Sequence, residues 1–311
     1  MHLVLGAGGA VGGAAVRALR GRGLPVRILA RPDSRPASLE GVEVLRGDPE
    51  RLPELLDAAK GCETIWAASK PPLPTWRTRL VHIHDNVVEA SGLTGATAVL
   101  VNPTWGLKPV YGVPLGVDAP KLDSMDRNSP LGELRGQMED QLEQNAVLRN
   151  VRSLVVRAPT LVGAGVRDRW IGAMRDAAKA GQAVPWYTAL DTGHAFADVE
   201  DVVEVALRVL LLTERPTFDV VHVAGHYVET AKAWTELLAA AAGRSLPAPR
   251  RVPAWWLALS GLWDAEARAF ASVRSHWEGP VLLDDVRTRA LLPGWGPRPL
   301  ADTLRTWLAG A

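Results

Sequence analysis

Seven residues near the N-terminus, Gly6-Ala7-Gly8-Gly9-Ala10-Val11-Gly12, have the types and spacing for anion binding. They stand between Leu3-Val4-Leu5, which reads as a buried strand, and a helical pattern through Ala14, Ala15, Ala18 and Leu19. Glycine at 6 permits a tight turn, at 9 lets backbone amides approach a diphosphate, and at 12 lets the helix pack on the strand. The diphosphate would rest at the helix N-terminus, where free N–H groups and the dipole favour negative charge. Gly6, Gly9, Ala10, Val11 and Gly12 are therefore expected to bind a dinucleotide. The spacing is G-x-x-G-x-x-G, since Val11 breaks a strict G-x-G-x-x-G. Without a ligand the same stretch would be only a glycine-rich turn.

Arg31 follows the second strand, Pro25 to Ala30. An acid there would hold the ribose 2′-hydroxyl of NAD, whereas arginine pairs with the 2′-phosphate of NADP. Arg31, with Arg35 in support, favours NADP, while Asp33 keeps NAD open. Metal chemistry is not expected. His82 and His84 lie two apart on a predicted helix and face away from each other. His222 and His226 bracket a strand end without a suitable cluster of Cys or acids. No G-x-S-x-G elbow exists to carry a serine nucleophile. His194 reads as a lone structural histidine bordering a substrate cavity.

The elements that would position these residues alternate. Further strands are read at Val42–Leu45, Thr64–Ala68, Ala96–Val101 and Ser153–Val156. Helices are expected from Leu52 to Ala59, over 77–91 and over about 130–149. Strands joined by helices of this length pair in parallel, so an α/β, doubly wound parallel sheet is expected, with a smaller C-terminal substrate domain. The dinucleotide-binding domain would cover 1–160 and the substrate domain 161–311, with about 194–226 returning to the sheet. With 311 residues, 47% hydrophobic and 22% charged, the chain is not disordered, and 35 Lys+Arg against 34 Asp+Glu exclude a broad basic face for nucleic acid. A single cysteine, Cys62, cannot form an internal disulfide. No signal peptide or membrane span is read, so a cytoplasmic protein with no membrane partner is expected. Seven of the twelve tryptophans lie beyond residue 230. The segment Val252 to Trp263 is expected to pack as a helix into the C-terminal core, against readings as a lid, a dimer surface or a membrane-skimming helix.

These pieces together resemble the extended short-chain dehydrogenase/reductases, the group of NAD-dependent epimerases, dehydratases and related reductases. The resemblance includes Gly47-Asp48, Trp66-Ala67-Ala68, Asn86-Val87-Val88-Glu89-Ala90, Arg157-Ala158-Pro159, Phe196-Ala197-Asp198-Val199-Glu200-Asp201-Val202 and the closing Leu292-Pro293-Gly294-Trp295-Gly296-Pro297. It implies that Asp48 contacts adenine, that Ala67 and Ala68 lie beside the cofactor, and that the protein forms a homodimer through a helical surface. Thr104 falls near the family's hydroxyl that hydrogen-bonds a substrate oxygen. Tyr111, in Val110-Tyr111-Gly112, is similar to a pocket tyrosine and is the candidate replacement catalytic residue.

The active-site motif itself departs from the family. Its acid/base tyrosine is followed four residues later by a lysine, but here Leu115 follows Tyr111, Asp191 follows Tyr187 and Ala231 follows Tyr227. Aligning Pro130-Leu131-Gly132-Glu133-Leu134-Arg135 puts Leu131 at the tyrosine and Arg135 at the lysine. Arginine can hold ribose hydroxyls, but leucine cannot move a proton. Asp123, Asp126, Glu133 and Lys70 are the remaining candidates for a rearranged site. Two readings follow: an NADP-dependent oxidoreductase or epimerase/dehydratase-like enzyme with a non-standard proton donor, acting on a small, fairly apolar carbonyl or alcohol, and a non-catalytic NAD(P)-binding regulator or scaffold.

Overall fold

The structure is a computed structural model that describes residues 1–32, 41–122 and 129–310. Asp33, Arg35, Asp123 and Asp126 lie outside the described residues. The first half alternates β1 (His2–Leu5), α1 (Ala10–Gly21), β2 (Val26–Ala30), β3 (Val42–Arg46), α2 (Leu52–Ala59) and β4 (Thr64–Ala67). A 3-10 turn at Leu73–Thr75 and a π-helical turn at Trp76–Leu80 lead into α3 (Val81–Thr94), so the helix expected over 77–91 is π-wound at its start. It stops at Gly95, whose φ of 75° suits only glycine without strain. Then come β5 (Thr97–Pro103), a 3-10 turn at Thr104–Gly106, α4 (Pro130–Arg149) and β6 (Ser153–Ala158).

These strands, with β10 below, form a seven-stranded sheet in the order β10-β6-β5-β4-β1-β2-β3, each neighbour parallel. Every residue of β1 and β6 is buried, as expected for strands covered on both faces. α2, α3 and α4 pack in succession along one face.

The second half runs β7 (Thr160–Val162), α5 (Arg169–Ala180), β8 (Pro185–Trp186), β9 (His194–Asp198), α6 (Val199–Leu210), β10 (Phe218–His222) and β11 (His226–Val228). It continues through α7 (Ala231–Ala242), β12 (Arg250–Arg251), α8 (Ala254–Ser260), α9 (Ala265–Ala271), α10 (Val286–Leu291) and α11 (Leu300–Ala309). α6 packs against α1, on the face opposite α2–α4. Within 194–226, β10 joins the central sheet beside β6, whereas β9 pairs with β7 and β11 in a separate three-stranded sheet. β8 and β12 form a parallel pair.

Aromatic rings fill the C-terminal core. His194 stacks on Trp277 at 3.7 Å between centroids, Phe196 on Trp234 at 3.9 Å and Trp170 on Phe270 at 4.5 Å. The expectation for Val252–Trp263 needs correcting: Leu257 and Ser260 are buried, but Trp255, Trp256, Leu259, Leu262 and Trp263 are exposed. With only seven residues, α8 offers one narrow inward face, and the adjacent tryptophans 255 and 256 cannot both occupy it. Among the described residues, no helix is long and apolar enough to cross a membrane.

Three buried histidines link this packing to pH. His84 bonds the Met138 carbonyl, His194 the Thr160 hydroxyl and His222 the Asp284 carbonyl. Burial pushes their pKa values down from 6.5, to about 4 for His84, about 3 for His194 and about 4 for His222, where Arg157 adds repulsion. Below pH 6.5 the unfolded chain therefore binds more protons at these sites, and stability falls with pH. Asp201, pushed up to about 6 by burial, has the opposite sign between its ordinary 3.8 and that value. The histidines outnumber it. The urea midpoint should fall between pH 6.5 and 5, by at most about 1.4 kcal/mol per pH unit per histidine. His194→Gln should flatten that slope. An unchanged or rising midpoint in both proteins would contradict the assignment of neutral core imidazoles.

Candidate functional site

Strand order reverses between β1 and β4, and the crevice beyond their C-terminal ends is where a doubly wound sheet receives its ligand. Gly6 leaves β1 with φ of 71°, and a Cβ there would come within 2.5 Å of the Ala68 carbonyl oxygen. At Gly12 an added Cβ would overlap the Gly6 carbonyl. The third glycine thus serves the turn's own closure, more than the helix–strand packing expected of it. Gly9 is the N-cap of α1, with no side-chain cap and no acid in the first turn. Gly8 and Gly9 are exposed, and nothing lies within 4 Å of a Cβ built on Gly8. A diphosphate fits this set because the uncapped N–H groups need an acceptor and no side chain fills the space above them. Ala10 and Val11 begin the helix, and a Cβ built on Gly165, in the β7–α5 loop, would lie 3.4 Å from the Ala10 Cα.

The other expected cofactor residues share this edge. Arg31 is exposed just past β2, and its carbonyl accepts from the Arg46 guanidinium at 3.3 Å. Asp48 follows β3, and its Oδ1 accepts from the Glu50 amide. The Asn86 side chain donates to the Pro49 carbonyl at 2.9 Å and so holds this loop from α3. Ala67 ends β4 and Ala68 turns away through a bond from its N–H to the Trp66 carbonyl.

Past β5 the geometry is tighter. Gly132 in the first turn of α4 leaves no room for a Cβ between the Trp105 carbonyl and Ser129, which lets the helix lie directly on the 3-10 turn at Thr104–Gly106. Leu131 is buried there, and so is Thr104. The Arg135 guanidinium carbon lies 4.3 Å from the centre of the Trp76 ring, itself 6.1 Å from Trp105. Burial pushes the Arg135 pKa down to about 10, against the pull of Glu139, so it stays cationic at neutral pH. Its Nε is buried without a hydrogen-bond partner in the protein. Beneath it, Asn102 donates to the Arg135 carbonyl at 3.1 Å and to Glu139 at 2.5 Å. Glu139 meets Arg157 through two guanidinium nitrogens, at 3.0 and 2.6 Å, with both side chains almost wholly buried.

Thr104 and Arg135 thus lie on the two elements that the Gly132 contact brings together, while Tyr111 is engaged with the C-terminal segment. Its hydroxyl donates to the Ser275 carbonyl at 3.0 Å, its ring lies against Gly279, and burial, with Glu278 nearby, raises its pKa. Glu133 accepts from Gln137 on its own helix, and Lys70 is exposed after β4. The sequence reading missed Trp76, Trp105 and the Glu139–Arg157 pair. Gly132 and Gly136, four apart on a helix, were a visible sign of close packing, whereas nothing local marks Trp76. Among the described residues, no group of three or more His, Cys, Asp or Glu gathers to hold a metal.

Gly12→Ala should lower unfolding stability by about 1–3 kcal/mol, because the turn must open, while Gly8→Ala should stay within about 0.5 kcal/mol. Equal urea midpoints for the two would refute the turn geometry. Glu139→Gln should cost about 3–5 kcal/mol by leaving Arg157 charged and buried without its counter-ion. A loss under about 1 kcal/mol would show that this pair does not hold the layer together.

Comparison with protein-family models matches residues 2–224 to the "NAD dependent epimerase/dehydratase family". MoeE5 in complex with UDP-glucuronic acid and NAD is similar in structure, with TM-score 0.77, 21% identity, and coverage of 99% of this chain and 97% of that one. The Thermus thermophilus UDP-glucose 4-epimerase, complexed with NAD, has TM-score 0.76 and 18% identity over 99% and 98%. A Streptomyces venezuelae dTDP-glucose 4,6-dehydratase double mutant with NAD bound has TM-score 0.78 and 16% identity over 99% and 96%. No curated protein sequence matches. The family model spans well over half of the chain and takes in the glycine turn, the β5 end and α4, and this chain belongs to the NAD dependent epimerase/dehydratase family.

Proposed function

We propose that this protein is a nicotinamide-dinucleotide-dependent oxidoreductase that interconverts a small, fairly apolar alcohol and its carbonyl. The observation that carries the reading is the uncapped N-terminus of α1, open above Gly8 and Gly9 at the strand-order reversal. Family membership and the NAD held by similar structures support a dinucleotide there. When bound, the cofactor supplies a hydride donor or acceptor. Arg135, a fixed cation with an unpartnered Nε, serves to hold ribose hydroxyls. The Thr104 hydroxyl serves to polarise the substrate oxygen, with Trp105 as an apolar wall beside it. Leu131 cannot exchange a proton, so the oxygen's proton is exchanged with solvent. Tyr111, tied to Ser275, braces the C-terminal segment rather than carrying that proton. Arg31 at the end of β2 favours the 2′-phosphate of NADP, and Arg46 on the neighbouring strand adds a second positive charge. Assembly as a homodimer through a helical surface remains part of this reading.

A second reading rests on one observation: Leu131 and Arg135, the residues that the family resemblance aligns with the proton-transferring pair, are buried. On that reading the chain binds NAD(P) without turnover and acts as a regulator or scaffold.

Titration with NADPH and NADH, followed by tryptophan fluorescence, should give NADPH the lower Kd by about tenfold, and Arg31→Asp should reverse the order. Tighter NADH binding by the unaltered chain would overturn the NADP assignment. NADPH oxidation against a panel of aldehydes, ketones and enones should show turnover, with Thr104→Ala lowering kcat/KM by about 100-fold. Binding without turnover on every member would replace the enzyme by the regulator, and no binding of either coenzyme would end both readings.

A further inference from the structure

The exposed apolar face of α8 and its following turn serves neither the core nor the dinucleotide turn. Trp255 is 66% exposed, Trp256 42%, Leu259 46%, Leu262 72% and Trp263 72%, while Leu257 anchors the helix inward. Five exposed apolar side chains within nine residues, three of them tryptophan, are costly to leave in water and mark an interaction surface. α8 packs on α9, which lies against the turn at Leu73–Thr75 beyond β4, so the patch sits on the side of the molecule that carries the crevice.

We infer that this face docks the protein peripherally on an anionic lipid surface. Tryptophan and leucine suit the headgroup boundary, where a short amphipathic element buries its apolar face to about 5–10 Å. The chain that leads into the patch carries charge of one sign. From Leu237 to Trp263 the chain has Arg244, Arg250 and Arg251 and no Asp or Glu. Arg250 and Arg251 are exposed immediately before α8. The first acids beyond are engaged: Asp264 lies 2.6 Å from Arg169 and caps α9, and Glu266 lies 3.6 Å from Arg169. Packing against a second copy is disfavoured, because a two-fold contact would set this arginine-bearing rim against itself. The inference takes up the membrane-skimming reading of Val252 to Trp263, and it stands independently of the enzyme reading.

The full-length protein is mixed with phosphatidylcholine vesicles with and without about 30% phosphatidylserine and sedimented. It should pellet with the anionic vesicles, detach at high salt and bind neutral vesicles at least tenfold more weakly. Bromine-labelled lipid should quench part of the tryptophan emission. Trp255→Ser/Trp263→Ser and Arg250→Glu/Arg251→Glu should each lower partitioning about tenfold or more. All four positions are exposed, and unchanged urea midpoints would verify that both variants fold. No pelleting and no quenching with anionic vesicles would overturn the inference, as would undiminished binding by both variants. A concentration-dependent dimer that Trp255→Ser/Trp263→Ser dissolves, without vesicle binding, would assign the patch to a second copy instead.

Discussion

The site depends on the backbone contact that closes the turn between the first strand and the first helix. The Gly6 carbonyl occupies space that any side chain at residue 12 would need, and Gly6 itself abuts the end of β4. Because β1 and β4 flank the strand-order reversal, this contact sets how the first helix points over the crevice. The ends of β2, β3 and β5 follow from the same sheet. Arg31, Asp48 and Thr104 therefore reach one edge of it.

A second close approach governs the other half of the crevice. α4 lies on the turn after β5 because Gly132 lacks a side chain, and Asn102 and the Glu139–Arg157 pair lock the helix from beneath. Arg135 is held as a fixed cation against Trp76 by this packing. Arg135 carries a positive charge there, while Leu131, one helical turn before it, has no ionisable group. Holding a ligand and moving a proton are separate demands on a site, and these residues meet the first far more visibly.

The C-terminal part is organised differently. Its core consists of stacked and edge-on aromatic rings around Trp277, His194 and Phe270, which order several short elements with few long strands or helices. Large planar side chains bury much area per residue, so short segments gain enough contact to stay placed. The same economy leaves α8 with little inward surface, and its tryptophans face out.

Much of this was legible in the residues. The alternation of apolar runs and helical faces determined the parallel sheet, because buried strands read as continuous Val, Leu and Ile and the intervening lengths permit only crossovers. Gly6, Gly9 and Gly12 announced their turn through spacing, and the missing Tyr-x-x-x-Lys pattern is a plain count over three tyrosines. What required the tertiary structure were relations between distant residues. Trp76 over Arg135, Glu139 against Arg157 and Tyr111 tied to Ser275 are each separated by many residues of chain, and no local period encodes them. Nor could the sequence decide which way α8 faces. Its residues are apolar on nearly every side, so hydrophobicity alone names no inward face, and only the packing of α9 and the buried Leu257 selects one.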